Sequence, residues 1–145
     1  MNPGLQPARV HLADAAATEA FGARLAASLP RGALVFLHGD LGAGKTTLVR
    51  GILRGLGYDG SVKSPTYTLL EPYDLDGLSV YHFDLYRVAD SEELDFIGID
   101  ELMESDAIKL VEWPEQAADR LPPPLLEVYL HVEGEGRRLE LEIRS

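Results

Sequence analysis

No cysteine occurs among the 145 residues. Disulfide frameworks, thiolate zinc sites and cysteine nucleophiles are therefore excluded. Cations are scarce as well. Lysine appears only at Lys45, Lys63 and Lys109, and 13 Lys plus Arg stand against 24 Asp plus Glu, for a formal net charge of −11. A groove that tracks a nucleic-acid backbone is built from clustered cations, so this balance argues against direct, autonomous binding to DNA or RNA. Long apolar runs are missing too. None approaches the roughly 18 residues of a membrane span, and Met1 to Val10 lacks a basic region followed by an apolar stretch. No signal peptide or membrane span is expected, and the expectation is a soluble, cytoplasmic protein. What is present is ordinary: 46% hydrophobic and 26% charged residues, the balance of a globular chain and not of a disordered or fibrous one. At roughly 100–200 residues per domain, residues 1–145 fit a single domain.

Local patterns predict a mixed sheet covered by helices. Between Asp14 and Leu29 the apolar positions Ala15, Ala16, Phe21, Leu25 and Leu29 recur at near-helical spacing, behind an Asp that can cap the start. Ala33 to Leu37 is a short apolar run bounded by glycines, which suits a strand buried on both faces. A glycine loop follows, then a helix over Lys45 to Leu56 with Leu48, Ile52 and Leu56 on one face. Tyr67 to Tyr73 and Leu78 to Leu85 read as strands of a hairpin around Asp76-Gly77. Ser91 to Glu104 reads as helical with an interruption at Gly98. Ala107 to Val111 is another short strand-like run, and Leu125 to Val132 pairs with Leu139 to Ile143 across Glu133-Gly134-Glu135-Gly136. The fold class expected is α/β: one domain with a part parallel, part antiparallel sheet flanked by helices.

The segment Gly39-Asp40-Leu41-Gly42-Ala43-Gly44-Lys45-Thr46 matches G-x-x-x-x-G-K-[ST] at every position. Glycines let the backbone curl into a ring whose N–H groups converge on phosphate oxygens, where a side chain would block the approach. The helix that starts there turns its positive end toward the anion. Lys45 supplies a mobile cation for the β- and γ-phosphates, and the Thr46 hydroxyl can ligate Mg²⁺. A glycine-rich turn with an incidental lysine would not be expected to follow a buried strand and open a helix. Gly42-Ala43-Gly44 lacks the third glycine of a dinucleotide fingerprint, and Lys-Thr favours a triphosphate. Guanine-specific proteins of this type read the base with Asn-Lys-x-Asp; the only asparagine is Asn2, so ATP is the expected nucleotide, with no adenine pocket identified.

Two runs have the form of a strand ending in an acid: Ser79 to Asp84, and Ile108 to Glu112. A triphosphate site of this kind needs a carboxylate near Mg²⁺ and a group that orients the attacking water. Either acid can fill either role, and periodicity does not decide between them. Ser64-Pro65-Thr66-Tyr67-Thr68 stands where a loop sensing the γ-phosphate is often found, with Thr66 able to reach metal or phosphate; the plainer reading is a turn into a strand. Arg87 reads either as a group neutralising transition-state charge or as a surface ion pair. His82 shares a strand face with Asp84. Zinc is not expected, since no H-E-x-x-H spacing is present. His11, His38 and His131 show no partner in the sequence, and Trp113 reads as a core or rim aromatic beside Pro114.

Taken together, Gly39 to Thr47, Ser64 to Thr68, His82-x-Asp84-x-Tyr86-Arg87 and Glu112-Trp113-Pro114-Glu115 resemble the bacterial TsaE family in order and spacing, over nearly the whole chain. The two later elements are more specific than the glycine loop, which many families share. The resemblance implies a small ATPase with ATP and Mg²⁺ as its cofactors, needed for threonylcarbamoyladenosine on tRNA. It implies work with a TsaB–TsaD pair, with tRNA met only through that complex. By the same resemblance Gly39, Asp40, Leu41, Gly42, Ala43, Gly44, Lys45, Thr46 and Thr47 cradle the phosphates, and Thr46 and Glu112 hold Mg²⁺. Asp84, Lys45 and Thr66 form the catalytic set. Hydrolysis is expected to be slow in isolation and stimulated by the partners. The competing classes are a small-molecule kinase and a nucleotide-gated binding module without catalysis.

Overall fold

In the computed structural model, residues 5–144 are described; Met1 to Gly4, part of the segment read above as lacking a leader, lie outside them, as does Ser145. Seven strands form one sheet: β1 (Ala8–Leu12), β2 (Leu34–His38), β3 (Leu70–Leu75), β4 (Leu78–Asp84), β5 (Ile108–Glu112), β6 (Leu126–Glu133) and β7 (Gly136–Ile143). Their order is β1-β7-β6-β2-β5-β4-β3. Strands β6, β2, β5 and β4 run parallel to one another, while β3 and β7 are antiparallel to their neighbours. The expected α/β class with a mixed sheet is what the chain adopts. No helix among the described residues is long and apolar enough to cross a membrane.

The central strand β2 is the one read as buried on both faces. Alternation along a strand sends its side chains to opposite sides. Val35 and Leu37 join a core under helices α1 (Ala15–Ala26) and α2 (Lys45–Gly55), whereas Leu34 joins a second core with Phe83, Val111, Leu94 and Ile99. Asp14 caps α1 by accepting from the Ala17 N–H at 2.8 Å, as its position suggested. Helices α1 and α2 pack tightly because small residues face each other. A Cβ on Gly22 would lie 2.6 Å from the Leu48 carbonyl oxygen, one on Gly55 2.6 Å from that of Ala23, and one on Gly51 would meet that of Glu19. Leu48, Val49, Ile52 and Leu53 of α2 are buried against the sheet, each contributing about 1.5–3 kcal/mol of apolar burial. Helix α2, and the loop at its start, are thereby held rigidly over the ends of the parallel strands.

Two strand starts differ from the sequence reading by three residues, and one strand was not foreseen. Strand β3 starts at Leu70, not Tyr67. The Leu69 N–H donates to the Pro65 carbonyl at 2.8 Å and Leu69 takes a left-handed φ of 67°, so residues 66–69 turn before the strand begins. Strand β7 starts at Gly136, not Leu139, because Gly134-Glu135 alone makes the turn and Glu133 pairs with Gly136. Arg137 and Arg138, between the loop and the run read as a strand, belong to β7; Arg137 reaches the glycine loop and Arg138 pairs with Glu140. Strand β1 was not foreseen; its alternation of Ala8, Val10 and Leu12 inward with Arg9 and His11 outward spans only five residues.

The interrupted helix at Gly98 is present in two pieces, a 3-10 segment Ser91–Ile97 and α3 (Ile99–Glu104), with Gly98 at φ 71° between them. Lys109 is buried below α3 and its ammonium donates to the carbonyls of Met103 (3.0 Å) and Ser105 (2.9 Å), satisfying the helix end. The Asp76-Gly77 hairpin is present, closed by Leu75 opposite Leu78.

Candidate functional site

Parallel strands bring their carboxyl ends to one edge, and ligand crevices in such sheets open there. Gly39 follows β2, Asp84 ends β4 and Glu112 ends β5; Asp84 and Glu112 are register partners on adjacent strands. The glycine loop arches over this edge into α2. Gly39 passes so close to β6 that a Cβ would sit 2.8 Å from the Leu130 carbonyl oxygen, and Gly44 takes φ 104° at the start of α2. No side chain caps that helix start, which leaves first-turn N–H groups available to an external anion.

The resulting cleft, about 290 Å³, is lined by Leu41, Gly42, Gly44, Lys45, Thr46 and Thr47 from the loop and helix, with Ser64, Thr66, Asp84, Glu112 and Arg137 opposite. Gly39, Asp40 and Ala43 border instead a second recess, behind the loop, with Trp113 and Glu115. The predicted acids, the lysine and the threonines Thr46, Thr47 and Thr66 thus meet at one place.

Lys45 is buried. Its ammonium donates to the Gly39 carbonyl, lies 4.0 Å from Glu112 Oε1 and sits 4.0 Å from the centre of the Trp113 ring. Burial pushes this ammonium below its ordinary range, against the opposing pull of Glu112, Asp84, Glu115 and Asp40. Trp113 has a left-handed φ of 57°, an unfavourable conformation for a bulky residue, and packs against Tyr86 at 4.9 Å. It is a rim aromatic, as read, and also the wall against which the lysine rests.

Asp84 is held at both oxygens. Oδ1 accepts from the Tyr86 N–H at 3.0 Å and Oδ2 from the Thr66 hydroxyl at 3.3 Å, while Ser64 Oγ lies 2.7 Å from Thr66 Oγ1. The loop read as a candidate switch therefore touches the acid directly. Arg87 lies over the Tyr67 ring at 4.6 Å and donates to its hydroxyl at 3.4 Å, pinning the same loop from outside. Glu112 is buried and receives the His82 Nε2 at 2.6 Å.

Arg137 escaped the sequence reading. Its guanidinium donates to the carbonyls of Ala43 (2.8 Å) and Gly42 (3.0 Å), bracing the loop from β7. No local pattern marks it, because the contact spans the sheet order. Of the other histidines, His11 pairs with Glu133, His38 pairs with Glu127 and stacks on Tyr129, and His131 borders the recess behind the loop.

The donor set suits a hard cation with an anionic ligand. Hydroxyl and carboxylate oxygens from Thr46, Glu112 and Asp84 are Mg²⁺-type ligands, and Mg²⁺ is typically bound through one or two carboxylates plus phosphates and water. Among the described residues no group of three or more His, Cys, Asp or Glu side chains that could hold a metal ion occurs.

The family model described as threonylcarbamoyl adenosine biosynthesis protein TsaE matches residues 12–139. The tRNA threonylcarbamoyladenosine biosynthesis protein TsaE of Haemophilus influenzae is 52% identical over 108 residues, covering 74% of this chain and 68% of that one. The Bacillus subtilis protein of the same name is 37% identical over 121 residues, covering 83% of this chain and 75% of its own length. A crystal structure of Bacillus subtilis YdiB matches with a TM-score of 0.80 and 27% identity, covering 96% of this chain and 87% of that one. The cleft motifs and this agreement over most of the chain have one meaning: the chain belongs to the TsaE family.

Proposed function

We propose that this chain acts in the biosynthesis of threonylcarbamoyladenosine on tRNA, in the cytoplasm, as a Mg²⁺-dependent ATPase whose hydrolysis supports turnover of a TsaB–TsaD complex. The observation that carries the reading is the convergence of Lys45, Thr46, Asp84 and Glu112 on one cleft beside an uncapped helix start. The single asparagine, at position 2, supports ATP over GTP.

In this reading the loop N–H groups bind the phosphates, and Lys45 turns from the Gly39 carbonyl toward the β- and γ-phosphates. Thr46 and Glu112 would hold Mg²⁺, which supplies charge neutralisation across the phosphates. Asp84, aimed by Thr66 and Tyr86, orients the attacking water. Acidic walls and a single buried ammonium make a poor site for a bare triphosphate, which supports the need for the cation. The strongly acidic chain leaves tRNA to its partners.

Phosphate release by the chain alone, and with TsaB–TsaD and tRNA, tests the proposal for wild type, Asp84→Asn and Glu112→Ala. Expected are slow basal hydrolysis, stimulation by the partners, slowed hydrolysis with retained binding in Asp84→Asn, and weakened Mg²⁺ dependence in Glu112→Ala. Phosphate appearing on a metabolite would make the protein a kinase. Binding with no ADP formed over many hours, even with partners, would leave a nucleotide-gated module.

A further inference from the structure

His82 is wholly buried on β4, on the same face as Asp84 and one step deeper below the cleft. Its Nε2 lies 2.6 Å from Glu112 Oε2. A carboxylate carries no hydrogen, so Nε2 donates. Its other ring nitrogen, Nδ1, is buried with no hydrogen-bond partner among the described residues. Leaving a polar atom unpaired in the interior is unfavourable, and the surroundings are apolar: Val80 precedes it on the same face and Leu110 is its register partner on β5. An aliphatic residue would meet this environment without the penalty. Packing thus fails to account for the imidazole; the hydrogen bond to Glu112 does.

Glu112 has a long side chain that would otherwise choose among several rotamers. With Oε2 tied to His82, the remaining oxygen, Oε1, is the one facing Lys45 Nζ at 4.0 Å. We infer that His82 is a positioning residue: it locks the Glu112 carboxylate so that a single oxygen is presented to the cation in the cleft. The inference rests on Glu112 being the metal acid of the proposed function. Outer-shell partners that orient metal ligands typically change metal affinity 10–100-fold when removed.

The test uses the position of the donor. A Gln amide places its N–H where Nε2 stands, Asn places its own nearer Nδ1 and out of reach of Glu112, and Leu fills the space with no donor. ADP binding to the full chain is measured by calorimetry with and without Mg²⁺ for wild type, His82→Gln, His82→Asn, His82→Leu and Glu112→Gln, with melting temperatures recorded. The expected result is metal-free ADP affinity within about 2-fold of wild type in the three His82 variants, a gain on adding Mg²⁺ that falls at least about 10-fold in the Leu and Asn variants, and recovery to within about 3-fold in His82→Gln. If Leu disrupts folding, the contrast between Gln and Asn decides alone. Gln behaving no better than Asn, or all three His82 variants matching wild type while Glu112→Gln loses the Mg²⁺ gain, overturns the positioning role and spares the proposed site. Retention of the Mg²⁺ gain in Glu112→Gln would instead show that the metal acid lies elsewhere.

Discussion

The ammonium of Lys45 rests 4.0 Å from the centre of the Trp113 ring and donates to the Gly39 carbonyl at the mouth of its own loop. A triphosphate that recruits this lysine removes a cation from the indole face. Tryptophan emission is therefore expected to shift when MgATP is added, and Trp113 is the sole tryptophan. Lys45→Ala should change the emission before any nucleotide is added and respond little to MgATP, because the loop has lost its cation. An unchanged wild-type spectrum at saturating nucleotide would show that Lys45 stays on the indole.

Arg137 braces the loop carbonyls of Ala43 and Gly42 from a strand near the end of the chain. Arg137→Ala leaves those carbonyls without a charged donor and the loop less preorganised. Nucleotide affinity is expected to fall about 10-fold, equivalent to about 1.4 kcal/mol, with the fold retained by circular dichroism. Calorimetry with MgADP makes the measurement; undiminished affinity would mean that the loop holds its shape unaided.

Gly51 faces the Glu19 carbonyl across the α1–α2 contact with no space for a methyl group. Gly51→Ala overpacks this contact, and about 2 kcal/mol of stability should be lost, or about 4–8 °C in Tm for a chain near this size. A melting curve within a degree of wild type would indicate that the helices separate at little expense.

Glu127 offers a pH test away from the cleft. Burial raises its carboxyl pKa, but hydrogen bonds from Arg144 and His38 outweigh burial and hold it below the ordinary 4.5. A carboxyl depressed in the folded state stabilises the fold above its unfolded value, and that contribution is lost as pH falls through the folded value. Glu127→Gln is expected to melt lower than wild type at pH 7, by about 1 kcal/mol. The gap should close progressively on acidification below 4.5. A gap independent of pH would place the effect in packing and not in charge.

Much of the cleft was legible because its parts are short in sequence. Gly39 to Thr46 are contiguous, so residue type and spacing carry the loop without knowledge of the sheet. The Asp76-Gly77 hairpin and the Asp14 cap are local in the same way. Tyr67 to Leu69 misled because β-prone residues were recruited into a turn, where Leu69 in a left-handed conformation donates to the Pro65 carbonyl and accepts from the Asp84 N–H. Tertiary contact outweighed propensity there. Strand β1 and the start of β7 were missed because short polar-rich strands take their pattern from a partner strand.

By itself the amino-acid order determined the ring of glycines, the lysine and threonine behind it, the strand before and the helix after, since each depends on neighbours within a few positions. It also narrowed the acids to Asp84 and Glu112. Only the folded sheet, in the order β6-β2-β5-β4, decided that these acids lie side by side, that His82 ties down one of them and that Arg137 reaches the loop from 94 residues away. The physical reason is that strand order is set by the burial of two apolar faces at once, a property of the whole chain that no short window of residues contains.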